Sequence, residues 1–248
     1  MINYMKSECY RLLRKKGPYV TGLICYLLIV AAAAVLTLSG QTDPNFPYAT
    51  SKFFYSNAIS AGLLIVIVGL LFNSALTGKD ISLIKQSVSF GISRNIIFWS
   101  KLFLTLSYFL LVCVVGIILM MVLGENLLSS ENPSVSNFLI ACVNMAPLVL
   151  SGFFLTHTLK MLKVGEGYII IVLIFIYGLS GNLLRVFREI SGLKELHNYA
   201  PNTLFNENLT SFMNEGVQFA LEYWIVGIII SGMALLIGAK RFGNQNID

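Results

Sequence analysis

The chain has 248 residues, a net charge of +5, and 12% charged residues against 56% hydrophobic residues. Because soluble domains carry about a quarter charged residues, this composition excludes an ordinary soluble globular protein and indicates a membrane protein. The basic residues are spread between apolar blocks rather than gathered on one face, so the positive charge does not indicate nucleic-acid binding. No linker or shift in composition divides residues 1–248, and we expect a single transmembrane domain.

The pattern of residues 1–17 predicts an amphipathic helix that lies along the membrane surface. Its apolar residues recur at spacings of three and four, the period of one helix face. They are Ile2, Met5, Cys9, Leu12 and Leu13. Most basic residues fall off this stripe, as in helices that contact membrane lipid with an apolar side and anionic headgroups with cations. We expect Gly17-Pro18 to end the helix, because proline costs a helix a hydrogen bond.

Six later segments are apolar enough, and close enough to about 20 residues, to cross a bilayer as helices. The predicted spans are Tyr19–Leu38, Ala58–Leu76, Leu102–Leu123, Phe138–Leu159, Gly167–Leu184 and Val217–Ala239. The fifth is short, and Glu222 lies near the start of the sixth. The sequence therefore predicts an all-α membrane protein with an N-terminal interfacial helix followed by six transmembrane helices.

The distribution of lysine and arginine predicts the orientation, since positively charged flanks stay in the cytoplasm. Thirteen of the 17 basic residues fall on one side of the predicted spans: Lys6, Arg11, Arg14, Lys15, Lys16, Lys79, Lys85, Arg94, Lys101, Lys160, Lys163, Lys240 and Arg241. The other side holds Lys52, Arg185, Arg188 and Lys194. Both termini share the basic side, which predicts a multi-pass protein of the cell membrane with cytoplasmic N- and C-termini.

One alternative concerns the N-terminus. Basic residues, an apolar run and then Ala31–Ala34 also follow the order of a cleavable signal peptide. Cleavage would leave five spans and place the new N-terminus outside the cell. The apolar run is long for a signal peptide, which favours the six-span prediction.

The predicted spans hold few groups that could do chemistry. No charged residue lies near the middle of a span, where ion-coupled carriers usually keep one. Milder polar residues favour hydrogen bonds between helices, or the lining of a translocation path. The path candidates are Asn73, Ser107, Tyr108 and Asn144. The chain has no HExxH, phosphate-binding GxxxxGK[ST] or CxxC motif, and we predict no catalytic residue, no metal site and no cofactor of its own.

The segment between the second and third predicted spans has the pattern of a short helix followed by a turn. Two sets of residues repeat at spacings of three and four: Ile81, Ile84 and Val88, and Leu83, Ser87 and Phe90. Gly91 can end this helix, and Ser93 can cap a helix that begins near Arg94. We expect a rigid amphipathic helix across the cytoplasmic surface, suited to receiving force from a partner.

This segment resembles the first cytoplasmic loop of the type-2 ABC exporter permeases. Those proteins carry a short coupling helix, a Gly/Pro-Ile-Ser-Arg turn and a lysine one or two turns into the third span. The matching residues are Gly91, Ile92, Ser93, Arg94 and Lys101. The N-terminal helix with Ser7-Glu8, the six spans and the long last outer loop also match. The chain departs at Gly78, where the family often has a glutamate and Asp80 is the nearest acid, and at Leu83, which replaces a threonine.

The resemblance implies a permease subunit that exports an amphipathic or hydrophobic substrate, such as a peptide, lipid or drug. Small members of the family are linked to antimicrobial-peptide export or immunity. It also implies a second permease chain, identical or different, and separate ABC ATPase subunits that bind ATP and Mg. The predicted ATPase contacts are Ile81, Leu83, Ile84, Ser87, Phe90 and Arg94. The alternatives are a non-transporting scaffold or sensor, or a secondary carrier; a copurifying ATPase would favour the exporter.

Residues 185–216 are too long for a simple hairpin before the sixth span. Apolar residues recur at helical spacing around Phe187, and Pro201 interrupts the chain before Leu204 and Phe205. We expect one or two short outer helices that dip into the outer leaflet. The resemblance adds that such helices form an outer gate.

Overall fold

The structure is a computed structural model that describes residues 2–43, 45–77, 81–129, 134–190, 195–214 and 216–244, without the side chains of residues 81, 82, 188 and 189. The described residues are almost entirely helical, with one isolated β-bridge between Thr50 and Ser129. The helices are α1 (Ile2–Arg14), α2 (Lys16–Thr42), α3 (Ser51–Ser60), α4 (Gly62–Thr77), α5 (Ile81–Ser89), α6 (Arg94–Leu127), α7 (Ser134–Met161), α8 (Glu166–Leu173), α9 (Ser180–Leu184), α10 (Pro201–Asn214) and α11 (Leu221–Asn244). A π-helix (Ile174–Leu179) joins α8 to α9, and 3-10 helices cover Arg185–Glu189 and Leu196–Tyr199. The all-α prediction is confirmed.

Five helical stretches among the described residues are long and apolar enough to cross a membrane. They are α2, α6, α7, the continuous stretch Glu166–Phe187 and α11. The pair α3 and α4 passes the same test together but is bent by 58°, so a sixth span is present if the pair counts as one. This arrangement fits a multi-pass membrane protein.

The predicted second span, Ala58–Leu76, includes a bend at Ala61, between α3 and α4. Polar side chains near the end of α3 bond to its backbone carbonyls: Asn57 Nδ2 donates to Phe53 O at 2.9 Å and Ser60 Oγ donates to Asn57 O at 3.0 Å. Such bonds compete with the helical pattern and bend helices. The ring of Phe205, from α10, then fills the space beside Gly62.

Three other predicted boundaries are corrected by the structure. The break after α1 lies at Lys15, whose backbone is extended, and not at Gly17-Pro18. Pro18 instead lies in the first turn of α2, where its missing N–H has no partner to lose. The same physical reason lets Pro201 begin α10 rather than interrupt the chain. The sixth apolar helix begins at Leu221, later than the predicted Val217.

The segment that contains α10 packs on the bundle. Leu204 and Phe205 of α10 are 0% and 7% exposed, so they do not face lipid as the predicted dipping helices would. Asn208 Nδ2 donates to Ala141 O of α7 at 3.0 Å, and Asn202 Nδ2 donates to Gly178 O of the π-helix at 3.1 Å. Helix α10 is therefore fixed to two of the apolar helices.

The described helix ends fall into two groups. One group, the basic end, holds α1, α5, the first turns of α6 and the last turns of α4 and α11. Two hydrogen bonds show that these ends meet: Lys101 Nζ donates to Leu76 O at 2.7 Å and Arg94 Nη1 donates to Gly243 O at 3.0 Å. The opposite end holds α3, α10 and the start of α7, where the Ser51 and Ser134 hydroxyl oxygens lie 3.1 Å apart.

Helix α7 forms the centre of the bundle and packs on α4 and α11. Just over half of its most apolar stretch, 56%, is buried, compared with 17–22% for the other four candidate spans. Helix α11 approaches α7 so closely at Gly227 that an added Cβ there would lie 2.6 Å from Pro147 O. Small residues allow this contact between membrane helices. The other candidate spans keep long apolar faces exposed, as helices surrounded by lipid do.

Candidate functional site

Helix α5 and the turn after it form the local structure that the sequence predicts. The helix covers Ile81–Ser89 and ends in a turn at Gly91, whose φ of +81° is the left-handed conformation that glycine adopts most readily. Ser93 Oγ accepts a hydrogen bond from Ile96 N, and α6 begins at Arg94. In the structure a helix, a glycine in the following turn and a serine cap thus occupy this segment.

Helix α5 has one side against the bundle and one side exposed. Ile84 is 7% exposed and belongs to the main hydrophobic core, and Val88 is half-buried against the same core. On the other side Leu83 is 38% exposed and Phe90, just after the helix, is 76% exposed. Of the predicted contact residues, Leu83 and Phe90 thus face outward and Ile84 faces inward. The side chain of Ile81 lies outside the described residues.

Ser87 lies at the contact between α5 and α1. Its hydroxyl donates to Leu83 O at 2.8 Å, and the Tyr4 hydroxyl of α1 lies beside both Ser87 and Glu8. Burial, together with the neighbouring Glu8 carboxylate, raises the pKa of the Tyr4 hydroxyl above its ordinary value. Among the described residues, the buried Tyr4 hydroxyl has no hydrogen-bond partner.

An ion pair at the basic end joins α1 to α6. Lys101 Nζ lies 3.1 Å from Glu8 Oε2, and the two side chains are 0% and 4% exposed. Arg11 Nη1 donates to the other carboxylate oxygen, Glu8 Oε1, at 2.8 Å. Lys101 also donates to Leu76 O, at the end of α4. A buried charge that loses its partner is strongly unfavourable, so these contacts hold α1, α4 and α6 in one arrangement.

Sequence reasoning singled out Glu8 and Lys101 through the resemblance but missed that they pair. Two signals were present. Glu8 is the one acid of α1 and stands four residues before the apolar Leu12 on one helix face. Lys101 stands about two turns inside a long apolar helix, where a lone charge needs a partner.

Arg94 and His157 tie further helices together. Arg94, predicted as a contact residue, donates to the Gly243 carbonyl at the end of α11. His157 of α7 is fully buried, with Nε2 3.2 Å from Phe98 O and Nδ1 3.2 Å from Asn73 Nδ2. Since a carbonyl only accepts, Nε2 carries the proton and Nδ1 accepts from the Asn73 amide. The imidazole thus links α4, α6 and α7.

The structure does not bring the four path candidates together. Asn73 is buried near the basic end by its bond to His157. Asn144, also buried, bonds through its amide to the backbone of Gln218 and Ala220 near the opposite end. Ser107 is exposed on α6, and Tyr108 is half-buried beside it. Asn73 and Asn144 make the expected bonds between elements, while a role for any of the four in a path stays a prediction.

The basic end therefore combines an exposed apolar patch on α5 with a buried polar network behind it. Among the described residues, no group of three or more His, Cys, Asp and Glu side chains is placed to hold a metal ion. No model of a known protein family matches the chain, and no curated protein is similar enough to assign it to a family.

Proposed function

We propose that this chain is the permease subunit of an ATP-driven ABC exporter whose ATPases are separate subunits. The observation that carries the proposal is the two-sided α5. Its inner side is packed through Ile84, while Leu83 and Phe90 remain exposed beside it. A helix placed in a partner's groove is anchored by apolar residues on one face, and Leu83 and Phe90, seven apart, share a face.

The contacts behind α5 support transmission of force. The turn at Gly91–Ser93 connects α5 directly to the long α6. Tyr4 of α1 packs against the same hydrophobic core as Ile84 of α5, and Glu8 pairs α1 with Lys101 of α6. A displacement of α5 by an ATPase would act on α4 and α6 through these contacts. Packed helices respond to such a push by moving between discrete arrangements.

The membrane arrangement that we propose has six spans, with α3 and α4 counted as one, and cytoplasmic N- and C-termini in the cell membrane. The excess of lysine and arginine in the segments of the basic end supports this orientation. In this arrangement α5 lies on the cytoplasmic side, where ATP and Mg bound by the partner ATPase would be available.

The proposed substrate is an amphipathic or hydrophobic molecule, such as a peptide, a lipid or a drug, with antimicrobial peptides as one class. Support comes from the predicted spans, in which no charged residue lies near the middle and the polar residues there are uncharged. A second permease chain, identical or different, would complete the path. The long exposed apolar faces of α2, α6 and α11 leave surface for both lipid and that second chain.

Copurification after mild detergent extraction tests the proposal. We expect an ABC-type ATPase to be retained with the chain and the complex to hydrolyse ATP, while the isolated chain does not. A chain that retains no ATPase when all cellular ATPases are present would contradict the exporter and favour the scaffold or sensor.

A further inference from the structure

The side of α1 that faces away from the bundle carries cations without matching acids. Lys6 and Arg14 of α1 and Lys16, the first residue of α2, are exposed, and none of the described carboxylates pairs with them. Arg14 instead stacks its guanidinium over the ring of Tyr10, 4.3 Å from the ring centre. The one acid of α1, Glu8, is buried with Lys101 and Arg11. The outward surface of α1 is therefore positively charged.

The same surface exposes apolar side chains that continue into a candidate span. Ile2 and Leu13 are 69% and 55% exposed. Only Lys15 separates α1 from α2, whose exposed face begins with Tyr19 and Val20. An acidic soluble partner would account for the cations but not for this continuity with a membrane-spanning surface. A negatively charged bilayer surface accounts for both.

We propose that the outward surface of α1 together with the start of α2, formed by Ile2, Lys6, Tyr10, Leu13, Arg14 and Lys16, binds anionic phospholipid and that this binding positions α5. Lysine and arginine near a bilayer are attracted by anionic headgroups, while the exposed apolar residues enter the acyl boundary. The inner side of α1 is held by the Glu8–Lys101 pair, and its Tyr4 side chain packs against the same hydrophobic core as Ile84 of α5. The depth of α1 in the bilayer therefore sets where α5 sits.

Lipid selectivity of the full chain, without any ATPase, tests the first half. The measurement is the association constant of spin-labelled phosphatidylglycerol relative to spin-labelled phosphatidylcholine in a phosphatidylcholine bilayer, by electron spin resonance. Wild type should prefer phosphatidylglycerol, and a Lys6→Gln, Lys16→Gln double variant should lose this preference by on the order of fivefold for each cation removed. Added salt should weaken the preference, since it screens exposed charge. Lys52→Gln, at the opposite end, should retain the wild-type preference.

Hydrogen exchange tests the second half. The backbone amides of Leu83–Ser89 should exchange more slowly in an equal mixture of phosphatidylcholine and phosphatidylglycerol than in phosphatidylcholine alone. Tyr4→Ala, which removes the contact between α1 and α5, should abolish that difference but keep the lipid preference. Equal lipid preference in the double variant and wild type would overturn the inference. Equal rates of amide exchange in α5 in the two lipid compositions would also overturn it. Both measurements remain decisive if the proposed transport function fails.

Discussion

The Lys101 ammonium of α6 lies 3.1 Å from the Glu8 carboxylate of α1, and both side chains are buried at 0% and 4% exposure. The two residues are 93 positions apart in the sequence. A second bond from Lys101, to Leu76 O, adds the end of α4. The position of α1 against the bundle thus depends on the buried ammonium group of Lys101.

Removing one partner of this pair should be worse than removing both. Lys101→Met removes the buried ammonium beside the Glu8 carboxylate, and Glu8→Gln removes the carboxylate beside the buried ammonium. Each single substitution should cost about 3–5 kcal/mol of stability. The double variant should lose less than the sum of the two, measured by thermal unfolding in detergent. Strictly additive losses would show that the two charges do not stabilise each other.

The close packing of α11 on α7 predicts a difference between two glycines of the same helix. At Gly227 an added Cβ would lie 2.6 Å from Pro147 O, whereas at Gly232 it would meet nothing within 4 Å. Gly227→Ala should therefore cost about 1–3 kcal/mol through overpacking. Gly232→Ala should be neutral or stabilising by up to about 1 kcal/mol, because alanine favours the helix. Equal melting temperatures for the two variants would contradict this packing.

Glu207 of α10 should make stability depend on pH. Although the Glu207 side chain is exposed, partial desolvation, and then the nearby Glu222 carboxylate, raise its pKa above the ordinary value, while His197 opposes this shift. The folded state thus holds the proton more tightly than the unfolded state. The free energy of unfolding therefore falls as the pH rises from the ordinary pKa of glutamate to the raised pKa of Glu207. Above the raised pKa this loss of stability is complete.

Glu207→Gln removes that penalty. The variant should melt above wild type at neutral pH, and the gap should close when the pH falls below the ordinary pKa of glutamate. The check is a series of melting curves of both proteins across this range. A gap that widens on acidification would have the wrong sign for a raised pKa.

Cysteine labelling tests the proposed orientation. In a variant without the four native cysteines, Asn45→Cys and Gln86→Cys place single thiols on exposed residues at the opposite end and the basic end. An impermeant maleimide added to intact cells should label position 45, and position 86 only after permeabilisation. Labelling of position 86 in intact cells would invert the orientation.

Local features of the site could be predicted from the sequence, whereas contacts between distant segments could not. Helix α5, the Gly91 stop and the Ser93 cap depend on residues within a few positions of one another. The partners of the Glu8–Lys101 and Asn73–His157 contacts are 93 and 84 positions apart. Each charge or amide alone indicates that it needs a partner, but only the packing of the helices selects which one.

The bend at Ala61 shows the same limit. The apolar run through α4 predicts a single span. The hydrophobicity of a segment contains no information about a change in helix direction. The Asn57 and Ser60 side chains that bond to the carbonyls of α3 are local, yet the Phe205 ring beside Gly62 arrives from α10. A bent and a straight helix of this composition cannot be distinguished until that neighbour is placed.

The most direct test of the proposed function is retention of the ATPase by variants of α5. Leu83→Asp and Phe90→Asp each place a charge on an exposed apolar side chain, outside every candidate span, so insertion and folding should be preserved. Ser89→Asp adds the same charge to an exposed polar position of the same helix and serves as the control.

The measured quantity is the amount of ABC-type ATPase that copurifies with each variant, together with its ATP hydrolysis. Loss of an anchor residue costs about 2 kcal/mol or more of binding, so both Leu83→Asp and Phe90→Asp should retain far less ATPase than Ser89→Asp or wild type. Wild-type amounts of bound, active ATPase in both anchor variants would contradict the proposal that α5 receives the ATPase.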